Sequence, residues 1–466
     1  MGLIVDLAQE ILAKAILLEY QLANAGAPQP SFECGTPASF PPESKYPDIF
    51  ETRQSIIDSA KTVHSLALGP SETIINLTGA QRLQTYALRT IEYYDIANVV
   101  PKGGSITFEE LAKKLEVNQE VLERIMRLSF GIRLFQEKPL GSVSHTALSE
   151  ALPVLSGWNK MAMSNDFAKS LQSWPQALKV YDEEKGAINL PWNIGVGDDR
   201  GHFAYLQSGA GDIGGMRGFT AAMESRARTS GGSDFSYFRN GFDWASLGQG
   251  PLVELGGGSG QVMTNICKDF PELSVIIQDL PQNQEIAQKR INASGLAERI
   301  QYQAQDFFTP QPEGLFPKAY FFKSVLHDWN DADCARILKQ LIPGVEKGAK
   351  IFCMDRVAYL PGEGKVATHK ESMAQFLDLM MWSNLGAKER NVEQWKKVAE
   401  RTDSRLKVLA YRTPVGCDWG MLELGFDEPA AIEAAPVAAE AAPVEAAAPA
   451  ESTPAVESTP AVAVQA

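Results

Sequence analysis

The chain has 466 residues, 44% hydrophobic and 21% charged, which is room for more than one domain and an ordinary globular composition. Its net charge of −14 argues against a nucleic-acid binder, and setting aside the six glutamates from Glu428 onward still leaves the remainder acidic. Five scattered cysteines, none in C-x-x-C spacing, argue against a zinc site or a disulfide framework and fit a reducing cytoplasm.

Residues 1–54 read as an N-terminal helix and linker. Leu3, Leu7, Ile11, Leu18 and Leu22 form one helical stripe over residues 3–24, expected to bury against a partner surface. Asp6, Glu10, Lys14 and Glu19 interrupt any signal or membrane-spanning run, and Asp6 stands where a myristoylation motif needs Ser or Thr. Residues 26–47, rich in Pro, Gly and Ser, predict a linker.

Residues 55–150 predict a mostly helical, winged-helix-like region, with helices from about Ser55 to Phe130. Thr107 and Glu110 form a capping-box pattern for a helix ending near Leu115. Asn118 can cap the next, with Val121, Leu122, Ile125 and Leu128 expected inward. A hairpin from Leu134 to Leu148, turning at Lys138–Gly141, completes the pattern. Glu120 and Glu123 offset Arg124 and Arg127, so dimerisation or a substrate lid is expected there, not DNA binding.

Residues 151–247 look helical with long loops and carry Trp158, Trp174, Trp192, Phe238 and Trp244. Across residues 248–427 the texture becomes short apolar runs alternating with helices. The strands are expected at Leu252–Leu255, Leu273–Asp279, Ile300–Asp306, Ala319–Lys323 and Lys350–Asp355, a doubly wound α/β domain with a parallel sheet. Residues 428–466 are Ala, Pro, Val and Glu in low-complexity order, with ESTPAV repeated in tandem, and are expected to be disordered.

The first of these strands runs into Gly256-Gly257-Gly258-Ser259-Gly260, a turn whose glycines let a ligand approach the backbone. Gln261 stands where a dinucleotide fingerprint needs its third glycine, so an NAD-type site is disfavoured. The second strand ends in Asp279, 23 residues past Gly256, where a carboxylate can accept from ribose hydroxyls. The third delivers Asp306 and Phe307, an acid and an aromatic for a base, and the fourth delivers Lys323. His327 follows at the same carboxyl edge, where open α/β sheets bind ligands.

These segments resemble the S-adenosylmethionine-dependent small-molecule O-methyltransferases, of the plant caffeate/flavonoid type and their fungal secondary-metabolite relatives, over roughly residues 55–427. The resemblance rests on LVELGGGSG at 252–260, IIQDLP at 276–281, QDFF at 305–308, FKSVLHDWND at 322–331 and GAKER at 386–390. It implies a Rossmann-like methyltransferase domain behind a winged-helix-like dimerisation domain, and a homodimer formed through N-terminal helices. By position it assigns Gly256, Gly257, Gly258, Asp279, Leu280, Asp306, Phe307 and Lys323 to S-adenosylmethionine. It makes His327 the catalytic base, braced by Asp355 and Glu389, and places Met380 and Asn384, with Met163 and Trp192, along the substrate. Ala387 and Gln305 depart mildly from the family's pattern, and neither removes a reacting group.

The chemistry agrees with the resemblance. A phenol, with pKa ~10, is mostly protonated at neutral pH, and an imidazole near ~6.5 is suited to remove its proton. No carboxylate cluster apart from the base region suggests a metal, so none is expected. A rival reading keeps the fold and uses the pocket for a pericyclic or dehydrative reaction on a polyketide-like substrate. The retained His327, Asp355 and Glu389 favour methyl transfer to a hydroxyl. A cofactor-sensing scaffold, as a third reading, predicts an eroded base and a basic N-terminal face, and the sequence has neither.

Overall fold

A computed structural model describes residues 2–182, 189–227, 236–248, 250–358, 366–413 and 419–426. The Ala/Pro/Glu-rich segment from residue 428 and Cys417 lie outside the described residues.

The helix Leu3–Asn24 packs along the long helix Pro47–Thr78 of the same chain. Leu7, Ile11, Leu18 and Leu22 turn toward it, and Leu22 is fully buried. The expected stripe is therefore met by the chain itself except at Leu3, which is exposed along with a second apolar face (Ile4, Val5, Leu12, Ile16). The long helix begins earlier than Ser55 because Pro47, with its fixed φ, occupies the first turn. It breaks at Gly69, whose φ of 69° leaves the helical region just before Pro70.

Both expected caps form. Thr107 and Glu110 close a reciprocal capping box on the helix Phe108–Leu115, and Asn118 Oδ1 accepts from Val121 N at 3.0 Å on the helix Gln119–Phe130. The inward face of the latter is Leu122, Met126 and Ser129, and Val121 is exposed, a correction of about one helical position. Three short strands, β1 (Ser105–Thr107), β2 (Phe135–Glu137) and β3 (Ser142–His145), form an antiparallel sheet in the order β1-β3-β2. Arg127 is bound to Glu123 and Glu137, each at 3.1 Å.

The second sheet has seven strands: β4 (Pro251–Leu255), β5 (Ser274–Asp279), β6 (Ile300–Ala304), β7 (Ala319–Lys323), β8 (Lys350–Arg356), β9 (Lys407–Arg412) and β10 (Trp419–Gly425). Their order is β6-β5-β4-β7-β8-β10-β9, the first five parallel and the last two antiparallel. Both faces are covered, which is why the parallel strands read as continuous apolar runs. Val253, Leu255, Phe322 and Cys353 pack under the helices Asp331–Lys339 and Val392–Thr402, and Leu252, Ile277, Phe321 and Met354 pack under Gln261–Asp269 and Trp244. The parallel order reverses beside β4, so the carboxyl ends of β4, β5 and β7 open onto one crevice.

Candidate active site

The glycine turn after β4 is locked by backbone bonding. Gly256 N donates to Gln278 O at 2.8 Å, and Gly258 N donates to Asp279 Oδ2 at 2.7 Å. The other oxygen of Asp279 accepts from Leu280 N at 2.7 Å and Asn283 Nδ2 at 2.9 Å. Gly256 and Gly258 sit at φ 69° and 56°, a region that favours glycine. A Cβ on Gly257 would stand 2.6 Å from Glu254 Oε2 and 2.7 Å from Ile277 Cγ2, whereas one on Gly258 would meet nothing within 4 Å. The turn is thus closed toward the sheet and open at Gly258.

Beneath it lies Glu254, 2% exposed, whose Oε2 has no hydrogen-bond partner among the described residues. Burial, with Asp279 adding and Lys323 opposing, pushes its carboxyl up to about 8. At the end of β7, burial and then Arg356 pull the Lys323 ammonium down to about 8. Its Nζ lies 4.6 Å from the ring centre of Trp419 and 5.7 Å from that of Phe238. The third strand stops at Ala304, so Asp306 and Phe307 stand on the loop beyond it. There Asp306 Oδ1 accepts from Phe308 N at 2.9 Å, and Phe307 is edge-on to Trp329 at 5.8 Å.

Past Lys323 the chain turns sharply at Ser324, a non-glycine residue at φ 51°, and enters the short 3-10 turn Leu326–Asp328 that carries His327. Left-handed backbone costs an ordinary residue about 1–2 kcal/mol, so this bend is held by its surroundings. His327 Nδ1 lies 2.9 Å from Glu389 Oε1, a carboxylate only 1% exposed. Nε2 is 3.5 Å from Asp328 Oδ1. Burial would lower the imidazole, but Glu389 and Asp328, with Asp355, outweigh it and raise His327 to about 10. Asp355 is 3% exposed, and burial raises its carboxyl above the usual range, with His327 the main opposing group. Burial likewise lifts Asp328 to about 6, with His327 opposing. His327, Asp328 and Asp355 therefore titrate as one coupled set, with Glu389 the nearest acid acting on the ring.

The helix His369–Leu385 passes this set. Its Asp378 Oδ1 accepts from Glu389 N at 2.8 Å, and its Met380 and Asn384, four residues apart on one face, are buried. Asn384 Oδ1 accepts from Ser170 Oγ at 3.4 Å. Met163 caps the helix Ala147–Ala162 and is half-buried. Trp192 sits in a separate small core, edge-on to His202 at 4.3 Å and to Tyr205 at 5.5 Å.

The structure thus brings together Gly256–Gly258, Asp279 and Leu280 on one side, and His327, Asp355 and Glu389 on the other, with Lys323 between them in sequence and charge. Sequence reasoning missed Glu254, Asp328, Asp331, Asp378 and Arg390. Four of the five lie inside motifs already singled out, where each ionisable residue could have been asked for its partner.

Two family models match the chain: an O-methyltransferase domain over residues 232–403 and an O-methyltransferase dimerisation domain over residues 83–154. O-methyltransferase aoiF of Aspergillus oryzae is 30% identical over 90% of this chain and 99% of its own length. O-methyltransferase fsr2 of Gibberella fujikuroi is 31% identical over 81% and 97%. Among solved structures the fold matches OxaC (TM-score 0.71, 18% identity, 91% of this chain and 99% of that one). It also matches NcsB1, an O-methyltransferase from neocarzinostatin biosynthesis solved with S-adenosylmethionine and 2-hydroxy-5-methyl naphthoic acid (TM-score 0.58, 22% identity, 74% and 96%). A protein described as a pericyclic reaction enzyme shares the fold too (TM-score 0.68, 19% identity, 90% and 100%). The chain belongs to the S-adenosylmethionine-dependent O-methyltransferase family.

Proposed function

We propose that this enzyme methylates a hydroxyl of an aromatic or polyketide-like secondary metabolite, with His327 as general base. The observation that carries the proposal is the ring held between Glu389 on Nδ1 and a second face at Nε2. Glu389 fixes the tautomer in which Nδ1 keeps its proton, so Nε2 is the atom that takes one from a substrate hydroxyl. The carboxylates stabilise the imidazolium that results. At neutral pH the ligand-free ring already holds its second proton, so the rate is expected to rise with pH.

The turn fits the cofactor on its own geometry. The space above Gly258 is open, and Asp279 Oδ2 has one bond among the described residues where an oxygen accepts two, leaving room for a ribose hydroxyl. When bound, S-adenosylmethionine supplies a methyl group on a sulfonium. Gly256, Gly257, Gly258, Asp279, Leu280, Asp306, Phe307 and Lys323 would hold it, and Met380, Asn384, Met163 and Trp192 would line the substrate. Much of the acceleration then comes from placing the two reactants in line.

We assign the working form to a cytoplasmic homodimer. The matched dimerisation domain supports the assembly, and the unpaired Cys34, Cys267, Cys334 and Cys353 support the compartment. No described helix is long and apolar enough to cross a membrane.

His327→Ala is expected to lose most methyl transfer from labelled S-adenosylmethionine to a panel of phenols while keeping cofactor affinity within a few fold. Equal loss of both would make His327 structural. The pericyclic or dehydrative alternative is favoured by the fold neighbour of that description. It predicts substrate rearrangement with no label transferred.

A further inference from the structure

We propose that Arg390 is the positioning residue that sets the distance between His327 and Glu389. Its side chain is fully buried, and its guanidinium reaches both flanks of the histidine turn. Nη1 donates to Leu326 O at 3.1 Å and to Lys388 O at 3.3 Å, Nη2 donates to Trp329 O at 2.7 Å, and Nε donates to Asp331 Oδ1 at 2.8 Å. Leu326 and Trp329 bracket the turn that carries His327, and Asp331 opens the helix that follows.

The backbone of Arg390 is fixed independently. It bridges to Val357 just beyond β8, and Ala358 N donates to Arg390 O at 3.3 Å. Glu389 is the preceding residue, held on its own N–H by Asp378. One planar fork therefore fastens the segment carrying Glu389 to the segment carrying His327, which lie 62 residues apart in sequence. Asp331 keeps the fork oriented and is itself held by Lys388 at 2.8 Å, and the two cations outweigh burial to keep its carboxyl below the usual range. A lysine would keep the charge but, with three donors on one atom, could not span two carbonyls on opposite sides of a turn.

The inference rests on His327 as the base, so its test reads the ring directly. The full-length protein, labelled at histidine 13Cε1 and assigned with His327→Gln, is titrated by NMR without substrate. In the unaltered protein the His327 resonance titrates well above the usual imidazole range. In Arg390→Lys the contact with Glu389 lengthens, and the midpoint is expected to fall by at least about one unit. An unmoved midpoint in folded Arg390→Lys overturns the proposal. Should that variant not fold, Asp331→Ala, which frees only one end of the fork, decides in the same way with a smaller fall. A parallel assay with labelled S-adenosylmethionine and 2-hydroxy-5-methyl naphthoic acid should show kcat lowered with KM nearly unchanged; kcat kept at the unaltered level counts against the proposal. If the unaltered protein transfers nothing to this acceptor, the NMR titration alone judges Arg390.

Discussion

Glu389→Gln keeps the shape of the side chain and removes its charge, which isolates what the carboxylate does to the base. With His327 at about 10, only about one ring in a thousand is uncharged at pH 7. Glu389 is the largest of the contributions that raise the ring, acting from 2.9 Å in a nearly dry site. Removing such a partner lowers a pKa by roughly 1–2 units, or about 1.4–2.7 kcal/mol. The free-base fraction at pH 7 then rises roughly tenfold to a hundredfold, while the base becomes intrinsically weaker and less well oriented. The two effects oppose each other at neutral pH and separate when pH is raised. The assay is kcat/KM for labelled methyl transfer between about pH 6 and 11, fitted for the midpoint of the acid limb and for the limiting rate above it. The acid limb should move to lower pH by one to two units (about the shift above), and the high-pH plateau should fall by about tenfold or more. The stability sign runs the same way. A raised histidine pKa contributes stability below about 6.5 that is lost as pH climbs through about 10, so the Gln variant should lose more melting temperature at pH 6 than at pH 10. An acid limb that stays in place, or moves up, refutes the electrostatic reading of Glu389.

Two further predictions concern the cofactor turn. Glu254 is raised from 4.5 to about 8, so between those values the folded state binds more protons than the unfolded one and stability declines as pH rises. Glu254→Gln removes that decline and should gain about 1–3 kcal/mol at pH 8.5 and little at pH 5, read by thermal unfolding at both; an equal change at both pH values would rule out the titration. Gly257→Ala drives a methyl into Glu254 and Ile277, so it should lose about 1–3 kcal/mol of stability and weaken S-adenosylmethionine binding at least tenfold by calorimetry. Unchanged affinity would mean that the turn yields freely.

Much of the catalytic half was legible because its signals are local. Each parallel strand ends where a glycine or polar residue interrupts an apolar run, and the edge carrying Asp279, Lys323 and Asp355 follows from connectivity alone. β9 and β10 were not foreseen because the strand–helix rhythm stops at Thr402, and an antiparallel pair closes the sheet without a crossover. Val121 and Leu122 were equally good starts for an inward stripe, and only packing against neighbouring helices chose between them. Arg390 stood in the GAKER motif, but its role was hidden for another reason. Its partners apart from Asp331 are backbone carbonyls, which every residue carries, so no pattern of side chains announces them.

The bend at Ser324 has a consequence for anyone reshaping this enzyme. The torsional strain there is a reserve of free energy that a glycine would release, less the conformational entropy that glycine adds to the unfolded chain. That reserve lies midway between the lysine at the end of β7 and the turn that presents the imidazole. A change at Ser324 made for heat resistance alone would therefore also reset the path by which the chain delivers the imidazole.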